Sequence, residues 1–459
     1  RADMDRDSQP SGAAPNPLLS MGDGVFLTIG LVIGVGIFKL PAQVAASTAD
    51  ARQFLAVWLL GGLASLCGAL VYAELAARRP ETGGEYAFLA RGLGRGAAFV
   101  FAWCRMTVIQ TGSIAAVAFA FGDYASQILP LGAHGSALWA VLAIGVLTGL
   151  NVAGTRQSKS LQKVAEIALV GALVLLALAA LARGGAPAAP AGAAPGASFG
   201  LAMVFVLFAY GGWNEAAYLA GELRDAPRNM ARVLVLGIAA VTAVYLLVNL
   251  AYLATLGLGG IRASQAVAAD AMRAAAGEHG ARLLAALVCV SALTTINAAI
   301  FTGARTTWAL GRDYPLLGAL GAWREPGSTP ANALIAQAAV TLVLVLAGSA
   351  TPDGFGAMVA YTAPVFWTFF LLTGVTLFVF RARERRAAQA APGFRAPLFP
   401  LVPAAFVATC GYMLWSSLAY VRDPVYGPKF GAMALAGIAV MAAGVPLYFF
   451  ARRGAPCAR

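Results

Sequence analysis

The sequence predicts an all-α polytopic membrane protein in which two helices are broken near mid-membrane. Three observations predict it: apolar character along the whole chain, charge concentrated in the gaps between apolar stretches, and glycine interruptions within two of those stretches. Of 459 residues, 60% are hydrophobic and 11% charged, and the mean hydropathy is +0.75. A soluble domain carries roughly 25% charged residues. The alternating ten-residue segments of a membrane β-barrel are absent.

Twelve apolar segments have helix-spanning length, for which about 20 residues suffice. They are 22–46, 53–77, 97–123, 137–153, 163–182, 199–220, 232–256, 282–310, 331–348, 355–380, 399–420 and 430–451. The polar stretch 1–21 precedes them and shows no apolar signal region. Residues 183–198, rich in Pro, Gly and Ala, read as a connector without helix. Residues 257–281 read as a loop with a short amphipathic segment near Ser264 to Ala276. The basic loop 381–398 and the tail 452–459 flank the last two segments, 399–451.

The net charge of +12 follows this layout. With the N-terminus inside, Arg78, Arg79, Arg91, Arg95, Arg156, Lys159, Lys163, Arg224, Arg228 and Arg232 fall on the cytoplasmic side. So do Arg312, Arg324 and the cluster Arg381, Arg383, Arg385 and Arg386. Few basic residues fall opposite, so the positive-inside rule places both termini in the cytoplasm of a cell membrane. The charge encodes topology and is no nucleic-acid footprint. The five cysteines lack metal or redox spacing and read as small packing residues.

The first segment carries Gly30, Gly34 and Gly36 followed by Pro41, and the sixth carries Gly211-Gly212 after Phe208. Each glycine costs a helix about 1 kcal/mol relative to alanine. Broken helices free backbone polar groups, tolerated in a membrane only where they line a cavity or bind something. The breaks lie five helices apart, which points to an inverted-repeat secondary transporter with its site between the repeats. Close helix packing through Gly30-xxx-Gly34 accounts for one break but not for the pair.

At these positions the chain resembles the amino-acid–polyamine–organocation transporters, and among them the L-type amino-acid transporter branch. The resemblance rests on Ile33 to Phe38 with Pro41, on Glu74-Leu75, and on Glu81-Thr82-Gly83-Gly84-Glu85-Tyr86. It continues through Leu207 to Asn214, Pro227-Arg228-Asn229, Tyr245 to Tyr252, Asn297 and Arg305, and spans roughly residues 22–330. It implies two inverted repeats of five helices, residues 22–182 and 199–380, with two further helices outside them. It also implies a free α-amino acid as substrate. Its carboxylate would meet the amides of Gly34, Val35 and Gly36, where a broken helix presents free N–H groups. Its ammonium would meet the carbonyls of Ile33, Phe208 and Ala209. Phe208 occupies the family's gate position. Gly211 stands where some relatives of cationic specificity carry an acid, which favours a neutral substrate side chain.

The chain departs from the family at Leu169, where a lysine often serves as a built-in cation. Either the transporter is uncoupled, or another cation fills the place. Ser291, Thr294 and Thr295 offer oxygens for Na+, although such hydroxyls routinely bond their own helix backbone. Glu166 is a candidate proton carrier for H+ coupling or a partner for Lys163 or Arg156. Lys39 is expected to face an outer vestibule and Glu215 an inner one, while Arg105 is costly in a membrane unless paired.

An enzyme is excluded by the lack of clustered Asp, Glu or His, since the two histidines fall in loops. No catalytic residue, metal site or cofactor is expected. A channel or a substrate sensor lacks a filter or an attached signalling domain here, and an amine or polyamine remains as alternative substrate. Animal L-type members pair with a glycoprotein heavy subunit through an outside cysteine. Residues 124–136 contain none, so no disulfide-linked subunit is expected.

Overall fold

The computed structural model describes residues 19–78, 84–154, 159–182, 198–216, 223–323, 329–387 and 393–452. The expected tail 1–21 up to residue 18, the connector 183–197, the motif residues Glu81, Thr82 and Gly83, and the last residues 453–459 lie outside them. So does the side chain of Glu166. The described residues are helical apart from turns, short irregular connections and isolated bridge residues, among them the pair Leu19 and Leu223.

Ser20 opens the first helix, α1 (Met21–Val32), with a capping box. Its hydroxyl accepts the N–H of Asp23, whose carboxylate accepts the N–H of Ser20. After a short break the chain resumes as α2 (Gly36–Ala46), bent by 53° from α1. Pro41 within α2 removes the N–H that would reach the carbonyl of Ile37, and the hydroxyl of Tyr252 takes its place at 3.4 Å.

The next helices are α3 (Ala51–Arg78), α4 (Gly84–Gly92), α5 (Arg95–Cys104) and α6 (Gln110–Ala125). A π-helical turn, Arg105–Ile109, joins the last two where one continuous helix is expected. Then follow α7 (Gly135–Val152), α8 (Lys159–Ala182), α9 (Phe199–Ala209) and the single turn α10 (Trp213–Ala216). The remaining helices are α11 (Ala226–Ala263), α12 (Val267–Asp313), α13 (Ala331–Ser349), α14 (Gly354–Ala387), α15 (Leu401–Ala419) and α16 (Ala432–Ala451).

With α5, the π turn and α6 taken as one span, nine spans are long and apolar enough to cross a membrane, ten if the bent pair α1–α2 is also one span, counted over the described residues. The expected segments 163–182 and 199–220 fall on α8 and on α9 with α10, whose apolar stretches Ile167–Leu178 and Phe199–Ala209 are shorter. The segment near Ser264 to Ala276 is helical and largely buried rather than laid on the surface. It is set off from the long parts of α11 and α12 by kinks at Gly257 and Gly277, both at positive φ. The basic cluster expected in a loop instead extends α14 to Ala387, because cations stabilise a helix C-terminus.

The face where α1 begins is called the near face below, and the opposite one the far face. On the near face the fully buried Glu74 accepts hydrogen bonds from Nε and Nη2 of Arg381 at 2.8 and 2.7 Å and from the N–H of Ala396 at 2.7 Å. Arg78 bridges Glu74 to Glu384. The end of α3 is thereby tied to the end of α14 and the chain beyond it. The motif acid Glu74 is a fastening for helix ends.

Candidate functional site

The two broken helices cross at their breaks. The turn Tyr210–Gly212 separates α9 from α10, and Gly212 has φ +107°, a conformation that side-chain-bearing residues rarely adopt. A Cβ there would also fall 2.2 Å from the carbonyl oxygen of Leu31 in the last turn of α1. The opposite pair of ends is also close, since a Cβ on Gly36 would lie 3.0 Å from Cα of Ala209. Gly34 differs from both, because a Cβ built there meets nothing within 4 Å.

The break leaves donors without acceptors. Among the described residues, no hydrogen bond engages the backbone N–H of Gly34, Val35, Gly36 or Ile37. These are the orphan amides expected at the start of a helix, and α2 directs the positive end of its dipole to the same place. The carbonyl of Ile33 also has no partner among the described residues. That of Phe208 accepts the N–H of Gly211 at 3.1 Å, and that of Ala209 accepts the hydroxyl of Tyr245 at 3.0 Å. Either carbonyl retains a second lone pair. The half-buried ring of Phe208 stands edge to face with the buried ring of Phe355, 6.3 Å between centroids. Phe355 opens α14 and was not singled out from the sequence, because nothing local distinguishes it from other membrane phenylalanines.

Toward the far face the site is shut. Lys39 does not face an open vestibule as expected. It is 2% exposed, and its ammonium lies 2.6 Å from Asp123 in α6 and 3.0 Å from the carbonyl of Gln265. One turn on, Gln43 donates to Asp353 at 2.7 Å. Arg262 donates to the carbonyls of Ala45 and Thr48, both at 2.9 Å. A lysine so deeply placed requires a partner, and sequence spacing gave no means of pairing it with a residue 84 positions away.

Glu215 is exposed, whereas its neighbour Asn214 donates to Glu85 at 3.2 Å. Glu85 also accepts the hydroxyl of Tyr72 and the guanidinium of Arg105, each at 3.3 Å. The pairing that Arg105 required is thus supplied from α4, and Arg105 is the first residue of the π turn. Such turns recur at functional sites.

The residues considered for ion coupling lie on α8 and α12. Leu169 is buried and brings no charge. Thr294 and Thr295 both donate to the carbonyl of Ser291, at 2.8 and 2.9 Å, so their protons are used within their own helix. No group of three His, Cys, Asp or Glu side chains able to hold a metal ion occurs among the described residues.

Comparison with known proteins adds an independent line. The family model described as amino acid permease matches residues 19–443. The serine/threonine exchanger SteT of Bacillus subtilis (strain 168) is 26% identical over 428 residues, covering 92% of this chain and 94% of its own. The b(0,+)-type amino acid transporter 1 of Rattus norvegicus is 28% identical over 393 residues, 82% of this chain and 78% of its own. The large neutral amino acids transporter small subunit 2 of Homo sapiens is 26% identical over 475 residues, 98% of this chain and 83% of its own.

Proposed function

Because the chain belongs to the amino acid permease family and is a membrane transporter of amino acids, we propose that it carries α-amino acids with neutral side chains by alternating access. The observation that carries this reading is the row of unpartnered amides from Gly34 to Ile37 beside the open space at Gly34. A carboxylate fits these donors and the dipole end of α2. The ammonium meets the free carbonyl of Ile33 and the remaining lone pairs of Phe208 and Ala209. Phe208, braced by Phe355, closes over the ligand. Gly211 leaves the break without an acidic side chain, which supports neutral over cationic substrates.

The architecture that fits this reading is twelve spans. The first ten form two inverted repeats, residues 22–182 and 199–380, with α15 and α16 outside them. The basic residues between spans support a near face in the cytoplasm of the cell membrane. Exchange of one amino acid for another is favoured over ion-driven uptake. Leu169 supplies no charge, and the relative SteT is named an exchanger. Residues 124–136 hold no cysteine, which supports a transporter working without a disulfide-linked subunit.

The test is uptake of a labelled amino-acid panel into proteoliposomes, with and without internal amino acid, Na+ or a proton gradient, and with decarboxylated analogues as competitors. The reading expects uptake that requires internal amino acid and is not inhibited by the analogues. Inhibition by the analogues as strong as by the amino acids would transfer the site to amines.

A further inference from the structure

On the alternating-access reading above, we propose that Tyr426, carried between α15 and α16, is a positioning residue that latches the far side shut. Its hydroxyl holds the far end of α2, and opening to that side requires its release. A helix end leaves its last carbonyls without partners of their own. At the far end of α2, donors from three other elements take them. Arg262 of α11 donates to the carbonyls of Ala45 and Thr48, both at 2.9 Å. The N–H of Ser198, the cap of α9, donates to the carbonyl of Ser47 at 2.9 Å. The carbonyl of Ala46, the last residue of α2, receives no backbone N–H among the described residues and accepts the hydroxyl of Tyr426 at 3.2 Å. The hydroxyl of Ser47 is 3.4 Å from that of Tyr426 but spends its proton on the carbonyl of Gln43, which leaves the phenol as donor.

The three holders differ in what they belong to. Ser198 opens the outer half of the other broken helix, and α9 meets α2 again at the breaks, where Gly36 faces Ala209. The negative end of the α2 dipole lies at the positive end of α9, which favours keeping the two together. Arg262 belongs to α11, which also reaches α2 at Ile37 through Tyr252. Both holders therefore grip α2 at two levels and travel with it. Tyr426 comes from the helix pair outside the repeats and meets α2 at its last turn.

The connection that carries Tyr426 is fixed elsewhere. Asp423 accepts the N–H groups of Val425 at 2.8 Å and Tyr426 at 2.9 Å, a side-chain turn that sets the direction of the tyrosine. Four residues on, Phe430 lies against α14, since a Cβ on Gly356 would stand 3.0 Å from its ring. Just before α14, Asp353 takes the side chain of Gln43 from α2. The latch thus stays with α14, and α2 is the part that leaves. A single phenolic hydrogen bond at this point biases the populations of the shut and open forms without deciding whether the chain folds.

The experiment places spin labels on the full-length chain in lipid nanodiscs, with the native cysteines replaced by alanine. The labelled positions are Ala49→Cys, just past α2, and Leu131→Cys, between α6 and α7, both exposed. Pulsed distance measurements then report the share of molecules open to the far side. Tyr426→Phe keeps the ring and loses the hydroxyl, so that minor share is expected to rise about fivefold, the size of one net hydrogen bond. Asp423→Ala frees the turn and is expected to act in the same direction. Asp423→Asn keeps an acceptor oxygen and is expected to stay near wild type. An unchanged distance distribution in Tyr426→Phe would overturn the proposal, whether or not its melting temperature falls. Equal responses from Asp423→Ala and Asp423→Asn would overturn it too. If the wild type exchanged no amino acid in proteoliposomes, the transport reading would fall, and the distances would still decide whether Tyr426 holds the far side shut.

Discussion

Gly212 turns its bare Cα toward the carbonyl of Leu31, so close that a Cβ would stand 2.2 Å from that oxygen. The end of one broken helix and the turn of the other thus share a space that admits no side chain. Gly212→Ala is expected to combine this clash with left-handed strain of about 1–3 kcal/mol. It should lower both melting temperature and transport. Gly211→Ala, with only a 3.1 Å approach to its own chain at Phe208, should be much milder. Thermal unfolding of the two purified variants checks the order.

Gly34 and Gly36 differ in the space around them. A Cβ at Gly34 meets no atom within 4 Å, so on the proposed substrate position Gly34→Ala should unfold at the wild-type temperature yet raise KM by about tenfold or more. Gly36→Ala presses on Ala209 at 3.0 Å and should lose stability first. Equal thermal losses in both would show that Gly34 is a packing residue.

Phe208→Ala removes the ring that meets Phe355. Expression and melting temperature should stay close to wild type, because the ring is only half buried. Transport should fall. Unchanged uptake would take the gate away from this residue.

Lys39→Met leaves the Asp123 carboxylate without its ammonium partner, which for a buried pair costs about 3–5 kcal/mol. The double variant Lys39→Met with Asp123→Leu removes both charges and should recover much of the loss. A denaturation series over the singles and the double measures the coupling, and additive losses would mean that the two side chains do not act as a pair.

On the exchange reading, replacing Na+ by choline should leave exchange rates unchanged; the hydroxyls of Thr294 and Thr295 donate to the carbonyl of Ser291 but keep lone pairs for a cation, so the experiment decides whether one binds there. A Na+ requirement that disappears in Thr294→Val or Thr295→Val would place a cation there instead.

The long apolar helices were legible in the sequence because a bilayer demands length and hydrophobicity from each segment separately. The two breaks were legible for a similar reason, as glycine is a local signal. What joins distant segments was not. Lys39 gave no sign of being held by Asp123, and nothing near Tyr245 revealed that its hydroxyl reaches Val32 and Ala209. The helix α4 escaped notice because its nine residues are too short and too polar to register as a span, although Glu85 within it gathers Tyr72, Arg105 and Asn214. The π turn at Arg105 has no sequence signature, since it depends on one inserted residue and not on composition.

The pairing of Lys39 with Asp123 also bears on how readily the far side parts. A purely apolar plug resists separation, because each square ångström it exposes to water costs about 25 cal/mol. Charges act in the opposite sense, regaining on exposure the hydration that closure removed. A seal made of an ion pair therefore offsets part of its own opening cost, and its open and shut forms lie nearer in free energy than those of an oily seal. For a carrier that presents one site to two compartments in turn, such near-balance keeps either form from becoming a trap.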